Sequence, residues 1–399
     1  MIKHIAVKTI KRIKKIILLS HFSKLEGMLF YLIFFARRIG VDKPNKSAVF
    51  YISSIHPPAI RLHQFFYHFI YCGYTCYYDI SFSEYMKLRR YGKKATLLKG
   101  VYPHNKKNKD YSIVASDNKD YLKNSNPKSL KIFINFHILK HLNSISKNDI
   151  FCPLMHFFKY NNPIVETGVL LNALDSKRRI GAFFVGNTKA DTYDSNLTKK
   201  LFNVNTRYET FNYLTDKLPK NILYIPKNVD SFLKDIESGI LEDKVVLLDI
   251  KNNFEIPPKY YFQILLQANF FIHMSGVIYP YCHNQIESMM AGCIPITQFS
   301  RYFIPPFQQE VDALLFTSLD DLIDIILKMN SGFYNNSIQK MRKNIQDYYR
   351  EHYSFQSFSK KLSHIVDNQL NYTNYYITTG AKNIIDELLP KEDANVLSV

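Results

Sequence analysis

Short apolar runs alternate with segments of helical length along most of this chain. Val49–Ser53 reads as a strand, and His56-Pro57-Pro58 breaks it. Ala59–Tyr71 reads as a helix with Leu62, Phe65, Phe66 and Phe69 on one side, Gly73 closes it, and Thr75–Ile80 is the next strand. Further β-like runs occupy Ala95–Val101, Tyr111–Ala115 and Lys131–Asn135. A second series begins near Arg178 with Ile180–Val185, which ends in Gly186-Asn187, and continues through Asn221–Ile225 and Val245–Asp249. Ser231–Gly239 is a helix within that series, and Pro257-Pro258 opens another, Lys259–Ala268. Then come an apolar run, Phe270–His273, a loop, a helix over Asn284–Ala291, Gly292, and a second apolar run, Cys293–Phe299. Leu319–Met329 and Ile338–Tyr349 are later helices, and Asn371–Val399 reads as a partly ordered polar tail. Apolar strands separated by helices predict parallel sheets with both faces covered. The expected class is α/β with two Rossmann-like domains, over residues 41–170 and 171–350. A basic amphipathic segment (1–40) precedes them, a C-terminal helix and polar tail (351–399) follow, and the hinge is expected between Tyr160 and Ser176.

With 399 residues, 46% of them hydrophobic, the chain can fill two sizeable cores, so most of its 29 Tyr and 30 Phe are expected to pack. Its 52 basic and 34 acidic residues give a net charge of +18, which attracts anions: nucleic acid, an acidic leaflet or phosphorylated small molecules. The aromatics lie mainly inside apolar runs and the basic residues are dispersed. Both facts weigh against the alternative of a nucleic-acid or polyanion binder without enzymatic activity. Five cysteines, an odd number without paired metal spacing, point to a reducing compartment. Ile2–Ile17 mixes Ile and Val with six Lys/Arg and reads as a basic helix lying on acidic lipid. Met28–Ala36 is apolar but too short to span a bilayer. The expected location is cytoplasmic, peripheral on the inner face of the plasma membrane.

In open α/β sheets ligands sit outside the carboxyl ends of strands, and the candidate chemistry is sought there. Glu287, near a helix start, could accept two hydroxyls of a ribose or sugar, although Asn284-x-x-Glu287 equally fits a capping box. Ser275-Gly276 would let the backbone approach a ligand, and His283 and Asn284 offer hydrogen bonds to it. His273, inside an apolar run, reads as a core histidine. Gly186-Asn187, with Arg178-Arg179 nearby in sequence and Arg179 preferred, forms a candidate diphosphate cradle; Lys189 and Arg207 are further basic candidates. In the first domain His56 and Asp79 are the candidate catalytic bases, with Asp117 and His137 at comparable sheet ends. No P-loop, no G-x-G-x-x-G, no HExxH and no Cys/His cluster occurs, so a P-loop ATPase, a dinucleotide oxidoreductase and a structural metal all lack sequence support.

Tyr260 to Asp321 resembles the nucleotide-sugar-binding half of GT-B glycosyltransferases, especially bacterial surface-polysaccharide and exostosin-like enzymes. The resemblance is carried by LLQAN, FFIHMSG, HNQIESMMAGCIPI and IPPFQQEVDALLF. It implies two Rossmann-like domains facing across a cleft, with Glu287 on the donor ribose and Ser275-Gly276 beside the phosphates. The implied reaction moves a sugar from a nucleotide-sugar to a hydroxyl of a glycan or lipid-linked acceptor during cell-surface polysaccharide synthesis. The donor is then a substrate, no cofactor is permanently bound and no metal is required. The implied partners are the nucleotide-sugar, the acceptor and an acidic membrane surface, not nucleic acid. Tyr279 stands where the commonest retaining pattern has the first of two glutamates, so inversion and retention both stay open.

Overall fold

The computed structural model describes residues 25–37, 44–52, 59–88, 90–105, 110–152, 163–194, 196–277 and 279–377. These form two compact units, one from the described residues within Met1–Asn135 and His364–Tyr375, the other from those within Phe136–Ser363 and Tyr376–Val399. The break after Asn135 falls earlier than the hinge expected between Tyr160 and Ser176, and the chain returns to its first unit near its end.

In the first unit, β1 (Ser47–Tyr51), β2 (Thr75–Tyr78), β3 (Val101–Pro103), β4 (Ile113–Ser116) and β5 (Leu130–Asn135) lie in the order β3-β2-β1-β4-β5. All these pairings are parallel. The connection from β1 to β2 is the helix Ala59–Tyr71, as its apolar spacing predicts. Leu62, Phe65, Phe66 and Phe69 are all buried, and Phe50 of β1 meets Phe66 and Phe69 edge-on at 5.4 and 4.9 Å. Gly73, at φ +82°, ends the helix in the left-handed conformation that a side chain would resist.

Two expectations fail in this unit. The run starting at Ala95 is not a strand: Ala95 closes a helix, Arg90–Ala95, and the strand begins only at Val101. Lys93, Lys94 and Lys99 leave too short an apolar run between them to hold a strand in a buried sheet. The supposed tail also contains a strand, Tyr372–Tyr376, which lies beside β5 in the sheet order. Thr373 and Tyr375 alternate inward there, and the Tyr375 hydroxyl sits 3.0 Å from Nδ1 of buried His68.

The second unit opens with a short strand, β6 (Ile150–Phe151), and the helix Pro163–Asn172. Its sheet contains β7 (Ile180–Gly186), β8 (Leu223–Tyr224), β9 (Val245–Asp249), β10 (Ala268–Ile272), β11 (Ile294–Thr297) and β12 (Leu314–Leu315). The order is β12-β11-β10-β7-β9-β8, and every pairing is parallel. Every residue of β7 and β9 is buried, which is why both read as unbroken apolar runs. The last strand of the chain, Tyr372–Tyr376, is then β13. From β7 the sheet grows one way through β9 and the other way through β10. This reversal opens a crevice outside the carboxyl ends of β7 and β10, and it positions the site described below.

At the opposite, amino end of β7, half-buried Arg178 donates to the carbonyls of Leu265 (3.2 Å), Ala268 (2.8 Å), Ala291 (2.9 Å) and Ala173. Burial lowers its pKa to about 10, which leaves it charged at neutral pH. Those four bonds tie β10 and the helix preceding Gly292 to the base of the sheet. Gly181 packs tightly against neighbouring backbone. A Cβ there would lie 2.7 Å from the Lys244 carbonyl oxygen and 2.9 Å from that of Glu242, and backbone cannot swing aside. Gly181→Ala should therefore destabilise this unit by about 2–3 kcal/mol. Thermal unfolding reads this directly, and a melting temperature equal to the parent's would mean that the β7–β9 spacing yields easily.

Candidate functional site

β7 delivers Gly186, Asn187 and Thr188 to the carboxyl edge of the second sheet, next to the end of β9. There Asp249 accepts bonds from Thr188 Oγ1 (2.6 Å), Asn252 Nδ2 (2.6 Å) and the Lys251 amide (2.9 Å), so it clamps two loops together. A Cβ on Gly186 would lie 3.0 Å from the Phe184 ring and 3.1 Å from a guanidinium nitrogen of Arg207, which is why glycine stands there.

β10 delivers the other wall, His273-Met274-Ser275-Gly276. The Gly276 amide donates to the Tyr279 carbonyl at 2.9 Å, folding the loop back on itself. Ser275 is buried, and its hydroxyl has no hydrogen-bond partner among the described residues. His273 is a core residue, as expected: Nδ1 lies 2.9 Å from Thr297 Oγ1, and burial lowers its pKa to about 3, keeping the ring neutral.

Arg207 joins the two walls. Thr206 caps the helix Arg207–Lys217 reciprocally with Glu209, which places Arg207 on the first turn. Its Nε donates to the Ser275 carbonyl at 2.7 Å, one terminal nitrogen donates to the Asn187 carbonyl at 3.2 Å, and the other lies 3.3 Å from Cys282 Sγ. The guanidinium also sits 4.3 Å above the Tyr193 ring and 5.9 Å from that of Phe184. Among the described residues no carboxylate pairs with this buried cation. The capping box Thr206-x-x-Glu209 was the only sequence signal marking the position, and it says nothing about where the side chain goes.

The next helix is His283–Met290, and its cap residue, Cys282, makes no side-chain cap bond. The capping-box alternative for Asn284 and Glu287 is therefore not realised. Asn284 lies inside the first turn, where Nδ2 donates to the Val185 carbonyl at 2.8 Å and Oδ1 is buried without a partner among the described residues. Glu287 is fully buried, and its Oε2 accepts the Tyr261 hydroxyl at 2.7 Å and lies 3.1 Å from Nδ1 of His283, one turn back. Burial alone would lower the His283 pKa, but the charge and hydrogen bond of Glu287 outweigh it and raise the pKa to about 9. His283, 39% exposed, thus presents a positive charge at the surface while its counter-ion stays inside. Tyr261 was not legible as a partner: it lies in an ordinary apolar helix face.

These positions bring Gly186, Asn187, Ser275, Gly276, His283, Asn284 and Glu287 to one sheet edge, as expected, but they leave out Arg179. Arg179 precedes β7, is half-buried, and donates to the Glu237 carbonyl. The strand β7, whose last residue is Gly186, carries the chain roughly 20 Å from Arg179 to Gly186-Asn187 at the usual rise of a strand. Sequence proximity misled here because the strand between them is extended. Lys189 is exposed and pairs with Asp191. Together, the second unit's edge offers one buried cation, one half-exposed imidazolium and two unpartnered buried oxygens, Ser275 Oγ and Asn284 Oδ1. Orphaned polar atoms cost about 1–3 kcal/mol each, which a ligand or water can offset.

In the first unit, His56 lies outside the described residues. Asp79 follows β2 directly; its Oδ2 accepts the Tyr121 hydroxyl at 2.9 Å and lies 3.3 Å from Nδ1 of His104. Tyr51 stacks on Tyr121 at 4.6 Å, and burial pushes the Tyr121 phenol upward. A largely buried carboxylate that keeps some access to solvent, with an imidazole beside it, is a chemically competent proton acceptor.

No protein-family model matches the chain, and no curated protein does. Among solved structures it is similar to Anabaena Alr3699/HepE in complex with UDP and glucose, at 8% identity, covering 81% of this chain and 99% of that one with a TM-score of 0.40. A glycosyltransferase from Rickettsia africae is similar at 10% identity over 82% of this chain and 99% of that one, TM-score 0.41. An alpha-glucosyltransferase in complex with UDP-glucose and DNA containing an abasic site matches at 11% identity over 80% and 99%, TM-score 0.43.

The ion pair at the helix start makes stability depend on pH. His283 titrates near 9 when folded against an ordinary value of 6.5. Its stabilisation is therefore complete below pH 6.5 and disappears as pH rises through 9. Solvent screening of a side chain 39% exposed reduces the effect to roughly 1 kcal/mol. His283→Gln should be less stable than the parent by that amount below pH 6.5 and should match it above pH 10. Paired unfolding curves across pH decide this; a gap independent of pH would mean that His283 contributes packing only.

Proposed function

We propose that the chain is a nucleotide-sugar-dependent glycosyltransferase of GT-B type. It transfers a sugar from its donor to a hydroxyl of a glycan or lipid-linked acceptor. The reading rests on one observation above all: at the switch point of the second sheet, a buried guanidinium without a carboxylate and a half-exposed imidazolium stand beside two unpartnered buried oxygens. That is a site for an anion with hydroxyls attached. Arg207 and His283 attract the diphosphate, and the first-turn amides of His283–Met290 add their dipoles. Ser275 Oγ and Asn284 Oδ1 supply hydrogen bonds to the phosphates and pentose. Glu287 is fully buried, so it acts on the donor by holding His283 charged and in place, and through any contact a bound pentose opens to it.

As the glycosidic bond to the donor breaks, negative charge collects on the departing diphosphate. Fixed cations stabilise it without reorganising, which lowers the barrier. The acceptor hydroxyl must lose a proton, and Asp79, oriented by Tyr121 and flanked by His104, is the proposed base, with His56 the other candidate. No permanently bound cofactor or metal belongs to the proposal. The motif resemblance over Tyr260–Asp321 supports a role in cell-surface polysaccharide synthesis. The basic sequence at Ile2–Ile17 supports a cytoplasmic protein held peripherally on an acidic membrane, and the dispersed basic residues speak against a nucleic-acid partner.

A thermal-shift screen against UDP-, GDP-, TDP-, ADP- and CMP-linked sugars tests the donor. One family should stabilise the protein by about 2.7 kcal/mol when present at a hundred times its Kd. Glu287→Gln should weaken that donor about tenfold or more, and Asp79→Asn should lower kcat by roughly 10²–10⁴ with donor affinity retained. Stabilisation by none of the five donors at millimolar concentration would refute the assignment.

A further inference from the structure

The helix over residues 25–36 carries its apolar stripe on the wrong side for a core helix. Leu25, Met28, Leu29, Leu32 and Ile33, spaced i, i+3, i+4, i+7 and i+8, are 44–62% exposed. The opposite face is the anchored one. Gly27 and Phe34 are buried, and the Phe34 ring stacks on Tyr85 at 5.7 Å. Tyr31 meets Phe82 and Tyr85 edge-on at 4.8 and 5.2 Å, while Arg37 donates to the Thr96 carbonyl at 3.4 Å and lies over Tyr102 at 5.2 Å. A helix fixed by one face and bare on the other presents a contiguous apolar ridge, which soluble surfaces seldom tolerate without a partner.

We infer that this ridge is a membrane-insertion surface that lies in the plane of an acidic bilayer. Charge selects the occupant. Six Lys/Arg fall within Ile2–Ile17 upstream, Arg37 and Arg38 follow directly, and the chain as a whole carries +18. Glu26, the one acidic residue of the helix, is matched by Arg90 at 3.1 Å. A second copy of so positive a chain would be repelled, whereas anionic headgroups complement it. Length sets the mode. Twelve residues make about 18 Å of helix against roughly 30 Å of hydrocarbon, so the ridge embeds sideways and does not span. Accordingly, among the described residues no helix is long and apolar enough to cross a membrane. The inference deepens the peripheral-membrane part of the proposed function, giving it a second, hydrophobic anchor beside the basic segment.

The chain has no tryptophan, so a single one reports without background. Leu29→Trp in the full chain should shift its emission to the blue on phosphatidylserine/phosphatidylcholine vesicles and be quenched by brominated acyl chains. Phe333→Trp, at a position 62% exposed in the second unit, should do neither. Leu29→Glu with Leu32→Glu should lower vesicle partitioning roughly tenfold or more, with the melting temperature and transfer to a soluble acceptor unchanged. Co-sedimentation with a red, unquenched Leu29→Trp spectrum would sink the ridge and leave the basic segment as the sole anchor. Emission that is blue before lipid is added, and unmoved by it, would mean that the chain itself or a second copy covers the ridge. Failure to co-sediment at all would defeat both readings.

Discussion

The site of the second unit depends on a buried guanidinium that links two loops. Arg207 gives its directional donors to the carbonyls of Asn187 and Ser275 and to a sulfur, and it rests against the faces of Tyr193 and Phe184. Taking a cation out of water is costly, and a carboxylate partner is the usual remedy. Here the compensation is dipolar: carbonyl oxygens and aromatic rings stabilise the charge without cancelling it. The edge of the sheet therefore keeps a positive potential, while the loops that line it are held in one geometry.

The second charge arises differently. Glu287 is buried and would be unstable alone, but a tyrosine hydroxyl and an imidazole on the same helix meet it. The cost of its burial becomes a raised proton affinity at His283, which is half-exposed. An acidic residue thereby makes the surface above it positive. Both cations stand where strand order reverses between β7 and β10, the place at which a parallel sheet leaves room beyond its strand ends.

The first unit follows the same architectural rule with other chemistry. Asp79 directly follows strand β2, and Tyr121, from the short helix Lys119–Lys123, and His104, from the segment after β3, converge on it. The outward apolar ridge of the helix over residues 25–36 belongs to this unit as well. There apolar residues at helical spacing face outward and not into the core of the unit.

The alternation of apolar runs and helical stretches makes the parallel α/β class readable from the sequence, because strands buried on both faces must be continuously apolar. Helix ends were equally legible at Gly73 and Gly292, since only glycine enters the left-handed conformation freely. The loop residues of the second unit were found because sheet ends are few. What failed was whatever depends on a residue's neighbours in space. Asn284 and Glu287 matched a capping pattern, yet one bonds to Val185 and the other to Tyr261 and His283, contacts that sequence spacing does not encode. Arg179 is near Gly186 in number but stands at the far end of an extended strand, while Arg207, on the first turn of a later helix, bonds back to Asn187, twenty positions earlier. Tyr372–Tyr376 reads as tail because its partner strand lies more than two hundred residues earlier. Local backbone preference and apolar periodicity are properties of the chain itself; which charge lies beside which carbonyl is decided only when distant strands pair.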